Sequence, residues 1–206
     1  KAKYPGFGFL TEESSDDFSR LNQDYVWVID PIDGTKDFIA KNDEFTINIA
    51  LVHKQKVIVG LVHIPAKNDT YFALKAAGSF HRFGQQDQRI FVNQKVEKLT
   101  VLTSRFHLQP LEKELIQKYQ SIGKISKVET YGSAIKACRI AEGFAEISYR
   151  LSPGTKEWDT AASDLIVTES GGYFIKPNRE KYTYNRRDVR NLEGYIILNR
   201  LENLYL

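Results

Sequence analysis

Methionine is absent from all 206 residues and the chain opens on Lys1, so the expectation is a chain that is not a complete translated reading frame. Only one cysteine occurs, Cys138, and a lone thiol excludes an internal disulfide scaffold. Its spacing with Ala134, Ala137 and Ala141 suits a small core residue on a helix more than a nucleophile, and it fits a reducing compartment. No apolar run is long enough to span a bilayer, and no secretory leader is recognisable. The four histidines show no metal-ligand spacing. The charge excess is small, +3, and Lys and Arg are scattered; this argues against a nucleic-acid polymer as partner and suits a small anionic substrate. Internal repeats and low-complexity stretches are also missing.

What is present reads as a globular protein: 42% hydrophobic residues over this length suffice for a substantial core. The first half is strand-rich. Residues 44–52, 56–63 and 70–74 alternate as three consecutive β segments joined by short links, which predicts an antiparallel meander. The second half alternates, with strands over 99–103, 127–131, 145–149, 172–175 and 195–198 and helices over 110–119, 133–142 and 159–170. That pattern predicts βα units around a partly parallel sheet. The fold class is α/β, an α+β first half of residues 1–98 followed by an α/β half of residues 99–206, with no flexible linker at the boundary near Lys98.

The densest chemistry lies in Trp27-Val28-Ile29-Asp30-Pro31-Ile32-Asp33-Gly34-Thr35-Lys36-Asp37-Phe38. A buried strand over 26–29 delivers two carboxylates into a turn that Pro31 stiffens and Gly34 frees for close approach. Asp30 and Asp33 can face one hard divalent cation, with the Ile32 carbonyl as a third ligand. If Thr35 and Lys36 open a helix, its first N–H groups favour an anion at the same place. The plain alternative is a turn in which Asp33 caps that helix. Two further segments bear on the choice. Glu12 and Glu13 follow the short apolar strand Phe7-Gly8-Phe9-Leu10, and Asp159 begins a largely apolar helix that Gly171 and Gly172 stop.

Residues 27–38 resemble the first signature of the inositol monophosphatase superfamily, and residues 158–172 resemble the second; Thr11-Glu12-Glu13 is similar to its upstream metal-binding Glu segment. The resemblance runs over nearly the whole chain, through Glu44–Leu51 and Ser104-Arg105-Phe106-His107. Lys36-Asp37-Phe38 resembles the bacterial 3′(2′),5′-bisphosphate nucleotidases within it, where inositol phosphatases usually carry Thr-Asn-Phe. One departure is Ala40, followed by Lys41, where the superfamily usually has a polar residue.

The resemblance implies a layered α-β-α-β-α sandwich of the inositol monophosphatase and fructose-1,6-bisphosphatase type. Its first helical layer is depleted here, because an N-terminal segment carrying an Asp for an additional metal and the attacking water is missing. It implies two or three Mg²⁺ ions on Glu12, Asp30, the Ile32 carbonyl, Asp33 and Asp159, with Glu12, Asp33 and Thr35 serving catalysis. Gly34, Thr35, Lys36 and Asp159 would contact substrate; Ser104 and His107 match nucleotide-contacting positions, and Gly132 and Lys136 match phosphate-contacting ones. Their own chemistry is compatible: Ser133 can cap the following helix, and Lys136 supplies a point charge for a second phosphate. Arg150 can meet the ligand from the other side. The bland readings are an exposed helix Lys, a surface-loop His and a surface ion pair.

The activity implied is hydrolysis of a phosphate monoester, removal of the 3′-phosphate from 3′-phosphoadenosine 5′-phosphate to leave AMP, in sulfur assimilation and with sensitivity to Li⁺. Alternatives are an inositol or other sugar monophosphatase, and a catalytically silent nucleotide- or metal-binding protein. The partner expected is a small phosphorylated nucleotide in the cytoplasm; a peripheral place on the inner face of a bacterial membrane stays open, as does the oligomeric state.

Overall fold

The structure is a computed structural model that describes residues 5–205. Strand β1 (Gly8–Thr11) pairs in parallel with β2 (Tyr25–Asp33), and a short helix α1 (Thr35–Ala40) leads on to β3 (Thr46–His53). From β2 the chain meanders antiparallel through β3, β4 (Lys56–Ile64), β5 (Asp69–Leu74), β6 (Gly78–Phe83) and β7 (Gln86–Ile90), giving a seven-stranded sheet in sequence order. The meander thus has six strands where the pattern predicts three; β2 joins it at one end and β6 and β7 at the other, and β7 is the least legible of them. The reason is that β7, Gln-Asp-Gln-Arg-Ile, has an almost wholly exposed polar pattern, so backbone pairing across the two-residue Gly84-Gln85 turn, not side-chain alternation, defines it.

The second sheet has the order β12-β14-β10-β8-β9. It is built from β8 (Leu99–Ser104), β9 (Ile125–Tyr131), β10 (Ile147–Arg150), β12 (Tyr173–Ile175) and β14 (Tyr195–Leu198). Strand β8 is parallel to both β9 and β10, while β14 runs antiparallel to β10 and β12, so the sheet is partly parallel as expected. Helices α2 (Pro110–Ser121), α3 (Ile135–Ala141) and α4 (Glu157–Glu169) complete the fold, with a two-residue ladder between β11 (Thr155–Lys156) and β13 (Arg190–Asn191). Helix α3 starts two residues later than predicted because Ser133 adopts a left-handed backbone, φ +52°, which no helix can contain.

The layers follow from where apolar side chains go. On β2 to β5 the alternate residues Val26, Val28, Ala50, Val52, Val62, Tyr71 and Ala73 are buried together with Ile135, Ile140, Ala162 and Ile166 of α3 and α4. The other face of β2 to β4 is half-buried. Beneath the helices lie Leu102, Phe174 and Ile197 of the second sheet; its opposite face packs Leu99, Val101, Ile147 and Ile196 against Ile116 of α2. The order among the described residues is therefore sheet, α3 with α4, sheet, α2, the β-α-β-α succession of the expected sandwich. The division at Lys98 separates the sheets, yet one core joins residues from both halves. Cys138 sits fully inside that core, where burial pushes its thiol well above the ordinary range and keeps it inert. No helix among the described residues is long and apolar enough to cross a membrane.

Gly60 sets how closely α4 approaches the first sheet: a Cβ there would lie 2.7 Å from the backbone oxygen of Ala162. Gly60→Ala should therefore destabilise the protein by about 1–3 kcal/mol through overpacking, read from urea unfolding midpoints. Wild-type stability would show that the helix can slide away without loss.

Candidate metal and phosphate site

Residues three apart on a regular strand face opposite sides, and Asp30 and Asp33 would diverge. They do not, because β2 bulges between them: Asp30 is opposite Asn48 and Asp33 opposite Thr46, three steps against two. Pro31, which has no N–H to lose, lies in the bulge. Asp159, two residues into α4, comes from the other side, and one carboxylate oxygen each of Asp30, Asp33 and Asp159 lie within 4.8 Å of one another. Glu12 follows β1, whose Thr11 pairs with Ile29, so it borders Asp30; it lines the same cavity as an exposed side chain outside that tight group.

Each of the three aspartates accepts one backbone N–H from a different segment. Asp30 Oδ1 accepts from Ile32 (3.0 Å), Asp33 Oδ2 from Ala134 (2.9 Å) and Asp159 Oδ2 from Lys156 (2.6 Å). Asp33 Oδ2 also accepts from the Ser133 hydroxyl (2.7 Å) and Asn48 Nδ2 (3.2 Å). The alternative in which Asp33 caps the helix after it is thereby corrected: Gly34, left-handed at φ +87°, occupies the cap position of α1 without a side-chain cap, and the Asp33 carboxylate reaches across to residues 133–134. Ser133 accepts the Ala134 N–H at 2.5 Å but makes no cap bond to α3 itself.

These bonds do not neutralise the cluster. Asp30 is buried, and burial together with the charges of Asp33, Asp159 and Glu12 raises its pKa to about 8. Asp159 rises to about 7, from burial first and then from Asp33. Asp30 Oδ2 is buried with no hydrogen-bond partner. An orphaned carboxylate oxygen facing two more carboxylates is the donor set of a hard divalent cation, so the residues fit the metal that the sequence implies.

The same cavity, of about 280 Å³, is also lined by the cations Lys36, Lys136 and Arg150, and by Ile32, Gly34, Thr35, Ser104, His107 and Ser133. Lys136 is buried, which corrects the exposed-lysine alternative. Its Nζ donates to the carbonyls of Ser133 (2.7 Å) and Tyr131 (3.3 Å), and loss of hydration lowers its pKa to about 8. Arg150 Nη1 donates to the His107 carbonyl at 3.1 Å, and its Nε is buried without a partner. His107 is lowered by partial burial and then by Arg150, Lys36 and Lys136, so the cations are close enough to repel it.

Gly132 is not among the lining residues. Its N–H is taken by Glu44 Oε2 at 2.8 Å, and a Cβ there would lie 2.5 Å from the Asp37 carboxyl carbon; close packing explains this glycine. Ala40 and Lys41 end α1 away from the cavity, so the departure at that position leaves the site untouched. Tyr149, Thr155, Ser163, Phe174 and Tyr195 also line it and were not anticipated. They stand in strand and helix patterns that read as core, and no local signal separates them from it.

The profile of the inositol monophosphatase family matches residues 1–200. The chain belongs to the inositol monophosphatase family. Relatives include the 3′(2′),5′-bisphosphate nucleotidases CysQ of Salmonella typhimurium, 35% identical over 82% of this chain and 66% of that protein, and of Buchnera aphidicola, 37% identical over 82% and 62%. The chain thus spans a little under two thirds of these relatives. The crystal structure of CysQ from Bacteroides thetaiotaomicron superposes with a TM-score of 0.86 at 31% identity, covering 97% of this chain and 79% of that one.

Both raised aspartates hold a proton more tightly in the fold than in the unfolded chain, where 3.8 is ordinary, so deprotonation costs the folded state. Metal-free protein should lose stability as pH rises from about 4 to about 8. Saturating Mg²⁺ should flatten most of that fall, leaving a residue from half-buried Asp164, whose pKa of about 7 no metal relieves. Melting temperatures with chelator and with Mg²⁺ across this range check it; parallel curves would remove the cation from the site.

Proposed function

We propose that this protein is a Mg²⁺-dependent phosphomonoester hydrolase that removes the 3′-phosphate of 3′-phosphoadenosine 5′-phosphate. The observation that carries the reading is a single cavity lined by two groups of residues, the carboxylates Asp30, Asp33 and Asp159 and the cations Lys36, Lys136 and Arg150. A monophosphate of a neutral sugar needs only the first group. A ligand with two phosphates uses both. The bisphosphate nucleotidases among the relatives support the same substrate class.

Glu12, Asp30, Asp33 and Asp159 would hold the ions, with the Ile32 carbonyl completing the set. Bound Mg²⁺ supplies charge neutralisation and a more acidic water. Thr35 and Glu12 orient the attacking water in line with the scissile bond, and the backbone at Gly34 and Thr35 receives the phosphate oxygens. Water adds to phosphorus, the bond to the 3′-oxygen breaks, and that oxygen leaves with a proton as the ribose hydroxyl. Lys36 and Arg150 hold the 5′-phosphate, while Ser104 and His107 border the nucleoside. The setting proposed is sulfur assimilation in the cytoplasm, with Li⁺ inhibiting by occupying a Mg²⁺ position.

Asp33→Asn should lose phosphate release altogether while its far-ultraviolet spectrum stays native, since Ser133, Asn48 and Ala134 still find an acceptor there. Full turnover in that folded variant would remove Asp33 from catalysis. For substrate choice the test is Lys36→Ala, an exposed side chain whose removal leaves the core alone. A charge-assisted contact of about 1.5–3 kcal/mol corresponds to a drop of about one to two orders of magnitude in kcat/KM for the bisphosphate. Inositol 1-phosphate turnover should hardly change. Equal losses on both would place Lys36 on the scissile phosphate and favour a sugar monophosphatase.

A further inference from the structure

The loop after β1 carries Glu12, the ligand least held by the fold, and turns back at Ser19–Asn22, where Arg20 is 1% exposed. A buried guanidinium on a surface loop needs a reason. Arg20 Nε and Nη2 donate to Asp16 Oδ2 at 3.0 and 2.7 Å, which closes the loop on itself. Its remaining donors leave the loop: Nη1 donates to Asn185 Oδ1 at 2.7 Å and Nη2 to the Arg186 carbonyl at 2.9 Å, and Asn185 Nδ2 donates back to the Arg20 carbonyl at 3.2 Å.

Residues 185 and 186 in turn grip the start of α4. Glu157, fully buried, accepts the N–H of Asn185 at 2.6 Å, the N–H of Arg186 at 2.8 Å and Arg186 Nε at 3.0 Å. Two residues on is Asp159. An unbroken run of charge-assisted bonds therefore joins the segment bearing Glu12 to the helix end bearing Asp159, by a route outside the cavity. Arg20 and Glu157 are buried charges with their partners in place, joined through the half-buried Asn185 and Arg186, and such contacts are costly to break and admit one geometry. The carboxylates at its two ends repel each other, and without a brace the flexible partner would swing away.

We propose that Arg20, Asn185, Arg186 and Glu157 form a positioning latch that ties the loop bearing Glu12 to the helix start bearing Asp159 and so keeps Glu12 within reach of a cation on the aspartates, an inference that rests on the metal-hydrolase reading above. None of the four lines the cavity. They act on affinity for the cation through the ligands they place.

The test uses the whole chain with two variants. Arg20→Lys keeps the charge and loses the fork; Asn185→Gly suits the left-handed backbone at φ +59°, keeps the N–H to Glu157 and loses the amide that meets Arg20. Calorimetric titration with Mn²⁺ should show Kd raised about tenfold in each, the lower end of what losing an outer partner of a metal ligand does. The Mg²⁺ needed for half-maximal phosphate release should rise in step, with kcat at saturating Mg²⁺ within about threefold of wild type. Folded variants that melt earlier yet bind Mn²⁺ as wild type would overturn the latch and leave a structural staple. Should Arg20→Lys not fold, Asn185→Gly decides by the same titration. Wild type that binds Mn²⁺ but releases no phosphate would instead sink the hydrolase reading, while weakened Mn²⁺ binding in the variants would still support the latch.

Discussion

Like charges held close together and out of water are the constraint on which this molecule is organised. Asp30, Asp33 and Asp159 stand within 4.8 Å of one another, and the burial of Asp30 and half-burial of the other two limit the hydration that would screen them. The fold answers with one backbone N–H for each carboxylate, drawn from residues 32, 134 and 156. Those donors hold direction without adding charge, so the cluster stays electrostatically unsatisfied and selective for a cation. Stability has been given up locally for that readiness.

The layering serves the same end. Since α3 and α4 lie between the two sheets, the start of α4 and the turn before α3 open onto the end of β2. Gly60 permits the close approach of α4, and Gly132 permits Asp37 to pack against the turn that leads to α3. Lys136 then lines the cavity with its ammonium pinned on two carbonyls of that turn, so this cation is as fixed as the carboxylates. Charges of both signs are thus held in place before any ligand arrives, which is how electrostatic preorganisation lowers the cost of binding.

The strand-turn chemistry of residues 27–38 and the helix start at Asp159 were legible because each depends on neighbours a few residues away: an apolar strand, a proline, a glycine, a carboxylate ahead of an apolar helix. The half-buried strands of the meander were legible for the same reason, and β7 was not, since its polar residues leave the period of two without a signature. Tyr149, Ser163 and Tyr195 reach the cavity from positions whose pattern is that of ordinary core, and Gly132 proved to be a packing glycine.

By itself, then, the sequence determined the types of element, the family and the acidic residues that can take a cation, because periodicity, turn chemistry and motif spacing are local. Only the tertiary structure decided that Asp30 and Asp33 share a side, since a bulge reverses strand parity and depends on pairing with β3. It alone decided that Asp33 is satisfied from residues 133–134, that Lys136 is buried, and that Arg20 and Glu157 meet through residues 185–186. The links from Asp33 to residues 133–134 and from Arg20 to residues 185–186 join positions a hundred or more residues apart, and nothing short of the packed chain brings them together.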